Sequence, residues 1–241
     1  MEHLSLRREG PIATVTLNRP ARRNALSDPL LTELGTAFAA LRDDATTRVV
    51  ILTAAPPVFS AGADAGLKSS MSPEERRQAF QDRKSQFRRL FERATTLLEN
   101  LEQATVAAIN GHAVGGGVGL TLACDFRWAA AEAQLWIPEV DLGVPLGVGT
   151  TTRLVRLVGP ARAKEIVIEG RRYTAAEAQA LGLVHRVVPG AQLAEAVRVY
   201  AGELATKPFR ALAEVKARIN AIARVGIPEA NAMTEGFLER E

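Results

Sequence analysis

The run Ile109-Asn110-Gly111-His112-Ala113-Val114-Gly115-Gly116-Gly117-Val118-Gly119-Leu120 constrains this chain more than any other stretch. Five of the nine residues from 111 to 119 are glycine, and a glycine inside a helix or strand costs about 0.5–1 kcal/mol against alanine. A strand-like apolar segment, Thr105 to Ile109, leads in, and a helix-like apolar segment, Val118 to Ala123, leads out. Glycines between two such segments serve a sharp turn or a close approach of another group to the backbone. We read the stretch as a turn that aims a backbone N–H at a small anionic centre from a helix N-terminus. A dinucleotide fingerprint would need glycine where Leu120 stands, and no Gly-Lys-Ser or Gly-Lys-Thr follows, so phosphate cradling is disfavoured. A tight turn without a ligand is the alternative that spacing alone leaves open.

Strands and helices alternate around this turn. Ile12 to Leu17 alternates, with Ala13, Val15 and Leu17 on one side, and predicts a strand. A basic loop follows from Asn18 to Leu26, and Asp28 before Pro29 predicts the N-cap of a helix reaching Arg42. Val49 to Leu52 predicts a strand buried on both faces, and Ala54 to Gly66 a loop of small residues. Ser72-Pro73-Glu74-Glu75 is a capping box that opens a long helix. Its apolar stripe includes Phe80, Phe87, Leu90, Phe91, Leu97, Leu98 and Leu101, and its other side, from Arg76 to Arg93, is basic, read as a solvated face with contact of one or two of its cations to phosphates as the alternative. After the glycine turn, Asp125 to Ala130 and Gln134 to Ile137 predict strands, and residues 138–147 form a second irregular loop. Helices over 148–158 and 161–168 are separated by Gly159-Pro160, Thr174 to Glu177 is another capping box, and a strand is expected from Leu183-Val184 to Val188. Beyond Pro189-Gly190 the pattern is helical to Met233, with breaks near Lys207-Pro208 and Ile227-Pro228. We therefore expect an α/β core over 1–190 and a helical region over 191–241. The stripe Leu204, Leu212, Val215, Ile219 and Ile222 of that region needs a covering surface, from its own core or from a neighbouring subunit.

Composition narrows the function classes. The 241 residues suit one large domain with a substantial core. A formal net charge of +3 makes no case for nucleic acid without a concentrated patch. The single cysteine, Cys124, excludes an intrachain disulfide and a cysteine-based metal site. No apolar run is long enough to span a bilayer, and the first ten residues carry no apolar signal core, so a cytoplasmic protein with no membrane or metal partner is expected.

Two further segments carry candidate chemistry. Phe59-Ser60-Ala61-Gly62-Ala63-Asp64 follows the buried strand; Ser60 lacks the context of a nucleophile elbow, and the small residues suit a second close backbone approach. Two such turns can place two N–H donors around one oxygen, each worth about 2.7–4 kcal/mol to a developing oxyanion. In Pro138-Glu139, a glutamate between Ile137 and Val140 should be largely buried, which raises its pKa toward the range of a general base. A capping or ion-paired glutamate is the plainer alternative. Asp141 is weighted toward a structural hydrogen bond, His112 toward a packed imidazole, and Cys124 toward a buried small side chain.

In this order and spacing, these residues resemble the crotonase superfamily, which includes enoyl-CoA hydratases and isomerases. The resemblance runs through Leu17-Asn18-Arg19-Pro20 with Asn24-Ala25-Leu26, Phe59 to Asp64, Ile109 to Gly117, Ala123-Cys124-Asp125, Pro138 to Gly143, and Ala180 to Val184. It implies a spiral of ββα units with a C-terminal helical region used in trimer formation, as a homotrimer or a dimer of trimers. It implies an acyl-CoA thioester as substrate, with coenzyme A entering as part of that substrate and no separate cofactor. Carried over, the two oxyanion N–H groups fall on Ala63 and Gly116. Arg22, Arg23 and Ala25 fall near the CoA nucleotide, Ala61 and Asp64 along the adenine and pantetheine path, and Gly115 within the binding turn. Lys216 would contribute from the C-terminal helices of the next subunit.

The chain departs from the hydratase pattern at one of two glutamates. The first belongs two residues after the triple glycine, where this chain has Gly119; the second is kept as Glu139. Dienoyl-CoA isomerases are similar but carry aspartates at the positions of Gly119 and Gly147, both glycine here. One carboxylate remains. A single base suffices to move a proton between two carbons of an enolate, whereas water addition is easier with a second group. The resemblance thus implies double-bond isomerisation of an enoyl-CoA, with hydration of a 2-enoyl-CoA or non-catalytic CoA-ester binding as alternatives. The acyl-pocket wall is expected in the Leu67-to-Leu98 segment.

Overall fold

The computed structural model describes residues 1–64 and 72–225, with the backbone alone at 73, 76–84 and 148. In chain order the elements are β1 (Leu4–Glu9), β2 (Ile12–Leu17), α1 (Asp28–Arg42), β3 (Val49–Ala54), α2 (Pro73–Glu99), β4 (Ala104–Ile109), β5 (Ala113–Val114) and α3 (Gly116–Leu122). They continue with β6 (Phe126–Ala130), β7 (Gln134–Trp136), α4 (Val148–Glu169), β8 (Tyr173–Thr174), α5 (Ala175–Ala180), β9 (Arg186–Val188), α6 (Gly190–Ala205) and α7 (Phe209–Ile222). A six-stranded sheet has the order β1-β2-β3-β4-β6-β9, parallel throughout except for the antiparallel edge pair β1-β2. A second sheet, β5-β7-β8, carries the glycine turn at the end of β5.

Burial explains the central strands. Every residue of β4 is buried and β3 is buried at all positions but Thr53, as the continuous apolar runs of a covered parallel sheet require. β2 alternates, with Ala13, Val15 and Leu17 inward. One side is covered by α1, through Leu30, Leu31, Leu34, Phe38 and Leu41, with α2 packed on it; α6 contributes Leu193, Val197 and Ala201. α6 begins where the β/α alternation gives way, and it lies against β2, β3, β4, β6 and β9.

Both capping boxes are present, Ser72 with Glu75 and Thr174 with Glu177. Three local expectations are corrected. The N-cap of α1 is Ser27, whose Oγ accepts from Leu30 N; Asp28 is the first helical residue instead. The 183–188 strand is limited to Arg186–Val188, because Leu183 and Val184 spend their N–H groups on Ala178 O at the end of α5. β1 has no counterpart among the expected strands: only Leu4 of its six residues is buried, so the pairing with β2 holds it where hydrophobic pattern does not. The chain from 148 to 169 bends at Gly159, whose φ of 76° breaks the helical path before Pro160 as the sequence suggests. The expected helix beyond 225, with its break at Ile227-Pro228, and the pocket-wall residues 67–71 lie outside the described residues.

Behind the glycine turn, α3 ends on a buried cation. The guanidinium of Arg127, only 3% exposed, donates to Cys124 O at 2.7 Å, Thr121 O at 3.5 Å and Leu183 O at 2.9 Å. Burial lowers its pKa to about 10, which leaves it charged at neutral pH.

Candidate active site

The two loops after β3 and β4 meet backbone to backbone. Val114 N donates to Ser60 O, Phe59 N and Ser60 N donate to His112 O, and Ser60 bridges Ala113. Gly62 sits at φ +86°, and a Cβ there would fall 2.8 Å from Val114 O; a Cβ on Gly117 would fall 2.9 Å from Ser60 O and Ser60 Cβ. Both clashes fall on atoms that cannot swing away, so these two positions require glycine for the loops to close.

That closure brings together the two predicted donors. A Cβ on Gly116 would lie 3.8 Å from Ala63 N, and one on Gly62 would lie 3.6 Å from Gly116 N. Among the described residues no backbone carbonyl accepts from the N–H of Ala63 or of Gly116. Gly116 opens α3, where the first helical N–H groups have no intrahelical acceptor. Leu26 and Phe87 line the same spot, with Leu26 Cδ1 3.4 Å and Phe87 Cζ 3.7 Å from the Cβ position of Gly116. The result is two N–H donors without a backbone acceptor among the described residues, beside an apolar wall.

Ala63 is held in place by a residue whose role the sequence reading passed over. Asn24 is fully buried in the left-handed region at φ 51°, which asparagine tolerates better than most residues. Its Nδ2 donates to Ala55 O at 2.7 Å and Val58 O at 2.8 Å, and its Oδ1 accepts from Arg19 N at 2.9 Å. Ser60 Oγ donates to Asn24 O, Leu26 N to Gly62 O, and Asp64 N to Leu26 O, so the 19–26 loop clamps the 59–64 loop at several points. The available signal was an Asn between a basic loop and an apolar residue, a residue type suited to left-handed backbone.

Glu139 lies against the glycine turn from the other side. A Cβ on Gly115 would be 2.5 Å from Glu139 Oε1, and Gly115 has φ +49°, so only glycine leaves room for the carboxylate here. Oε2 is buried without a hydrogen-bond partner. Burial raises the carboxyl pKa to about 7, the direction and cause foreseen from the neighbouring apolar residues. Val144 N and Leu142 N both donate to Glu139 O, which fixes the backbone of the loop. Asp141 is exposed, and among the described residues its side chain makes no hydrogen bond of the structural kind expected.

The remaining candidates divide. Arg22 and Arg23 are exposed, Ala25 is partly buried, and Ala61 is exposed, so this loop presents two cations at the rim. Asp64 is ion-paired with Arg19 at 3.0 Å and Arg22 at 3.7 Å. Lys216, on α7, donates to Asp125 Oδ2 and Gln103 O of its own chain, both at 2.8 Å. It lines a cavity of about 650 Å³ between α7 and the end of α3, which touches neither Glu139, Ala63 nor Gly116. His112 is structural: its Nδ1 accepts from Gln134 N and its ring packs edge-on against Trp136. Cys124 is buried, with its thiol pushed up to about 12 by burial.

Comparison with known proteins decides the family. The model of the enoyl-CoA hydratase/isomerase family matches residues 7–239. The chain belongs to that family. It is 37% identical over 220 residues to a crotonyl-CoA hydratase of Syntrophomonas wolfei, covering 91% of this chain and 82% of that protein. A crystal structure of an enoyl-CoA hydratase from Bacillus anthracis superposes with a TM-score of 0.82 at 37% identity, covering 98% of this chain and 90% of that one. A monofunctional enoyl-CoA isomerase from M. smegmatis superposes with a TM-score of 0.78 at 31% identity, covering 94% and 96%. The fold implied by the motifs is therefore the fold observed, and this member of the enoyl-CoA hydratase/isomerase family has relatives named for both reactions.

Proposed function

We propose that this enoyl-CoA hydratase/isomerase family member shifts the double bond of an enoyl-CoA thioester from the 3- to the 2-position, with Glu139 as its one acid/base. The observation that carries the reading is the Glu139 carboxylate, buried with an unpartnered oxygen and a pKa of about 7, set against a turn beside two N–H groups that have no backbone acceptor among the described residues. In the proposed step the thioester oxygen sits between Ala63 N–H and Gly116 N–H. Glu139 removes a proton from C2 of 3-enoyl-CoA, and the C–H electron pair delocalises into a dienolate whose charge the two donors stabilise. The protonated Glu139 then delivers that proton to C4, and the C2–C3 double bond forms. No water enters and nothing leaves.

Arg22 and Arg23 would meet the phosphates of the CoA portion from the rim, with Ala25, Ala61, Asp64 and Gly115 lining its path. A homotrimer or dimer of trimers is part of the same proposal. Val215, Ile219 and Ile222 stand 55%, 60% and 75% exposed on α7, an apolar face that a neighbouring subunit would cover.

Hydration of 2-enoyl-CoA is the second reading, favoured by the names of several relatives, among them the crotonyl-CoA hydratase of S. wolfei. Supplying 3-enoyl-CoA and 2-enoyl-CoA separately, in water enriched in heavy oxygen, decides between them. We expect 2-enoyl-CoA from the first substrate and little labelled 3-hydroxyacyl-CoA from the second. Rapid labelling with no isomerised product would replace the proposal by hydration.

A further inference from the structure

The side chain that a hydratase would carry at position 119 is absent here, but its space is not empty. Gly119 N donates to Gly115 O at 3.0 Å, so the two glycines are one turn apart on the same face of α3. Groups at such positions have Cβ sites about 5–6 Å apart. Glu139 Oε1 covers the first site, 2.5 Å from the Cβ position of Gly115. The second is covered by Thr150, whose Oγ1 and Cγ2 come within 2.6 and 3.1 Å of the Cβ position of Gly119, and by Phe91, whose Cζ comes within 3.1 Å. Thr150 and the Glu139 carboxylate are therefore neighbours along one helix face.

The packing that holds Thr150 there is stiff. Thr150 is 4% exposed and Phe91 6%, and the Phe91 ring stacks on Phe87 with centroids 5.7 Å apart. A β-branched side chain has few χ1 choices. The two elements that carry the pair are tied together one turn further on. Arg153 and Arg156 of α4 each donate to the Glu99 carboxylate at the end of α2, both at 2.7 Å. The 12% exposure of the Glu99 side chain makes this a sheltered cluster.

We infer that Thr150, backed by Phe91, is a specificity-determining residue: its bulk fills the place beside Glu139 that a second carboxylate and an attacking water would need. Hydration requires the water oxygen to bond C3 while a proton is delivered to C2, and the occupied space leaves the carbon-to-carbon proton transfer as the available reaction. The inference rests on the isomerase reading and names what enforces it. It is a claim about volume, not about the threonine hydroxyl.

The test is the ratio of 2-enoyl-CoA hydration to 3-enoyl-CoA isomerisation, measured with purified full-length variants whose fold is checked by circular dichroism. Thr150→Ala should raise the ratio by about tenfold or more, and Thr150→Val, which keeps the volume, should leave it within about twofold of wild type. Gly119→Glu alone should lose both activities, because its Cβ meets Thr150, whereas Gly119→Glu combined with Thr150→Ala should hydrate faster than either single variant. An unchanged ratio in Thr150→Ala, with wild-type isomerisation intact, overturns the role of Thr150 and leaves the isomerase reading standing. An equal rise in Thr150→Val assigns the effect to the hydroxyl and likewise overturns it. Wild-type hydration as fast as isomerisation removes the isomerase reading itself, and the inference with it.

Discussion

Glu139→Gln is expected to lower turnover by roughly two orders of magnitude or more while CoA-ester binding is retained. The amide keeps the shape of the carboxylate against Gly115 but can neither take a proton from C2 nor return one to C4. Steady-state kinetics on 3-enoyl-CoA, with binding measured by calorimetry, separates the two effects; unchanged turnover would remove Glu139 from the chemistry. The pH dependence of wild type carries the same signature. The base must be ionised, so kcat/KM should rise as pH increases through about 7, the pKa to which burial lifts this group. Stability should run the other way. The folded pKa lies above the ordinary 4.5, so between these values the folded state binds more protons than the unfolded chain. Its contribution is complete below about pH 4.5 and lost as pH rises through 7, a difference of about 3 kcal/mol. Glu139→Gln has no such loss. Its melting temperature relative to wild type should therefore be higher at pH 8 than at pH 5, and a constant difference would contradict the buried, ionising carboxyl.

Asn24→Ala is expected to cost about 3–5 kcal/mol of stability and most of the activity, although Asn24 touches no substrate in the proposed step. The substitution strands Ala55 O, Val58 O and Arg19 N in a fully buried pocket and forces alanine into left-handed backbone. Asn24→Asp isolates the hydrogen bonds, since aspartate tolerates that backbone and keeps the acceptor but loses both donors. Thermal unfolding with kinetics on both variants checks the claim. A stable Asn24→Ala with normal kcat would show that the 59–64 loop holds Ala63 without this clamp.

The parts of the fold that the sequence made legible are those where one local rule acts alone. Continuous β-branched and apolar runs gave β3 and β4, alternation gave β2, and reciprocal Ser/Thr–Glu pairs gave the starts of α2 and α5. Where two rules competed, reading failed: Ser27 and Asp28 are both good caps, and only backbone geometry chose the serine. β1 carries little hydrophobic signal because a partner strand, not a buried face, fixes it, and β8 is too short, at two residues, for its buried Tyr173 to set a pattern. Glu139 was legible because a glutamate among apolar residues is conspicuous. Asn24 and Thr150 were not, since their significance lies in what stands opposite them, 31 residues away in chain for Ala55 and 31 for Gly119. Non-local contact of this kind leaves no periodicity to read.

Arg127 bears on how the site can move. α3 has seven residues, too short to be helical by itself. It is tied in front by Gly115 N donating to Trp136 O and behind by the Arg127 guanidinium on Thr121 O and Cys124 O. The same guanidinium grips Leu183 O, and the Arg127 backbone exchanges hydrogen bonds with His185 just before β9. The helix thus belongs to the same cooperative unit as the edge of the main sheet, and its amides should exchange with solvent only when that unit unfolds. Local unfolding, the usual route by which a short glycine-rich helix would fray, is closed from the rear by the buried Arg127 guanidinium.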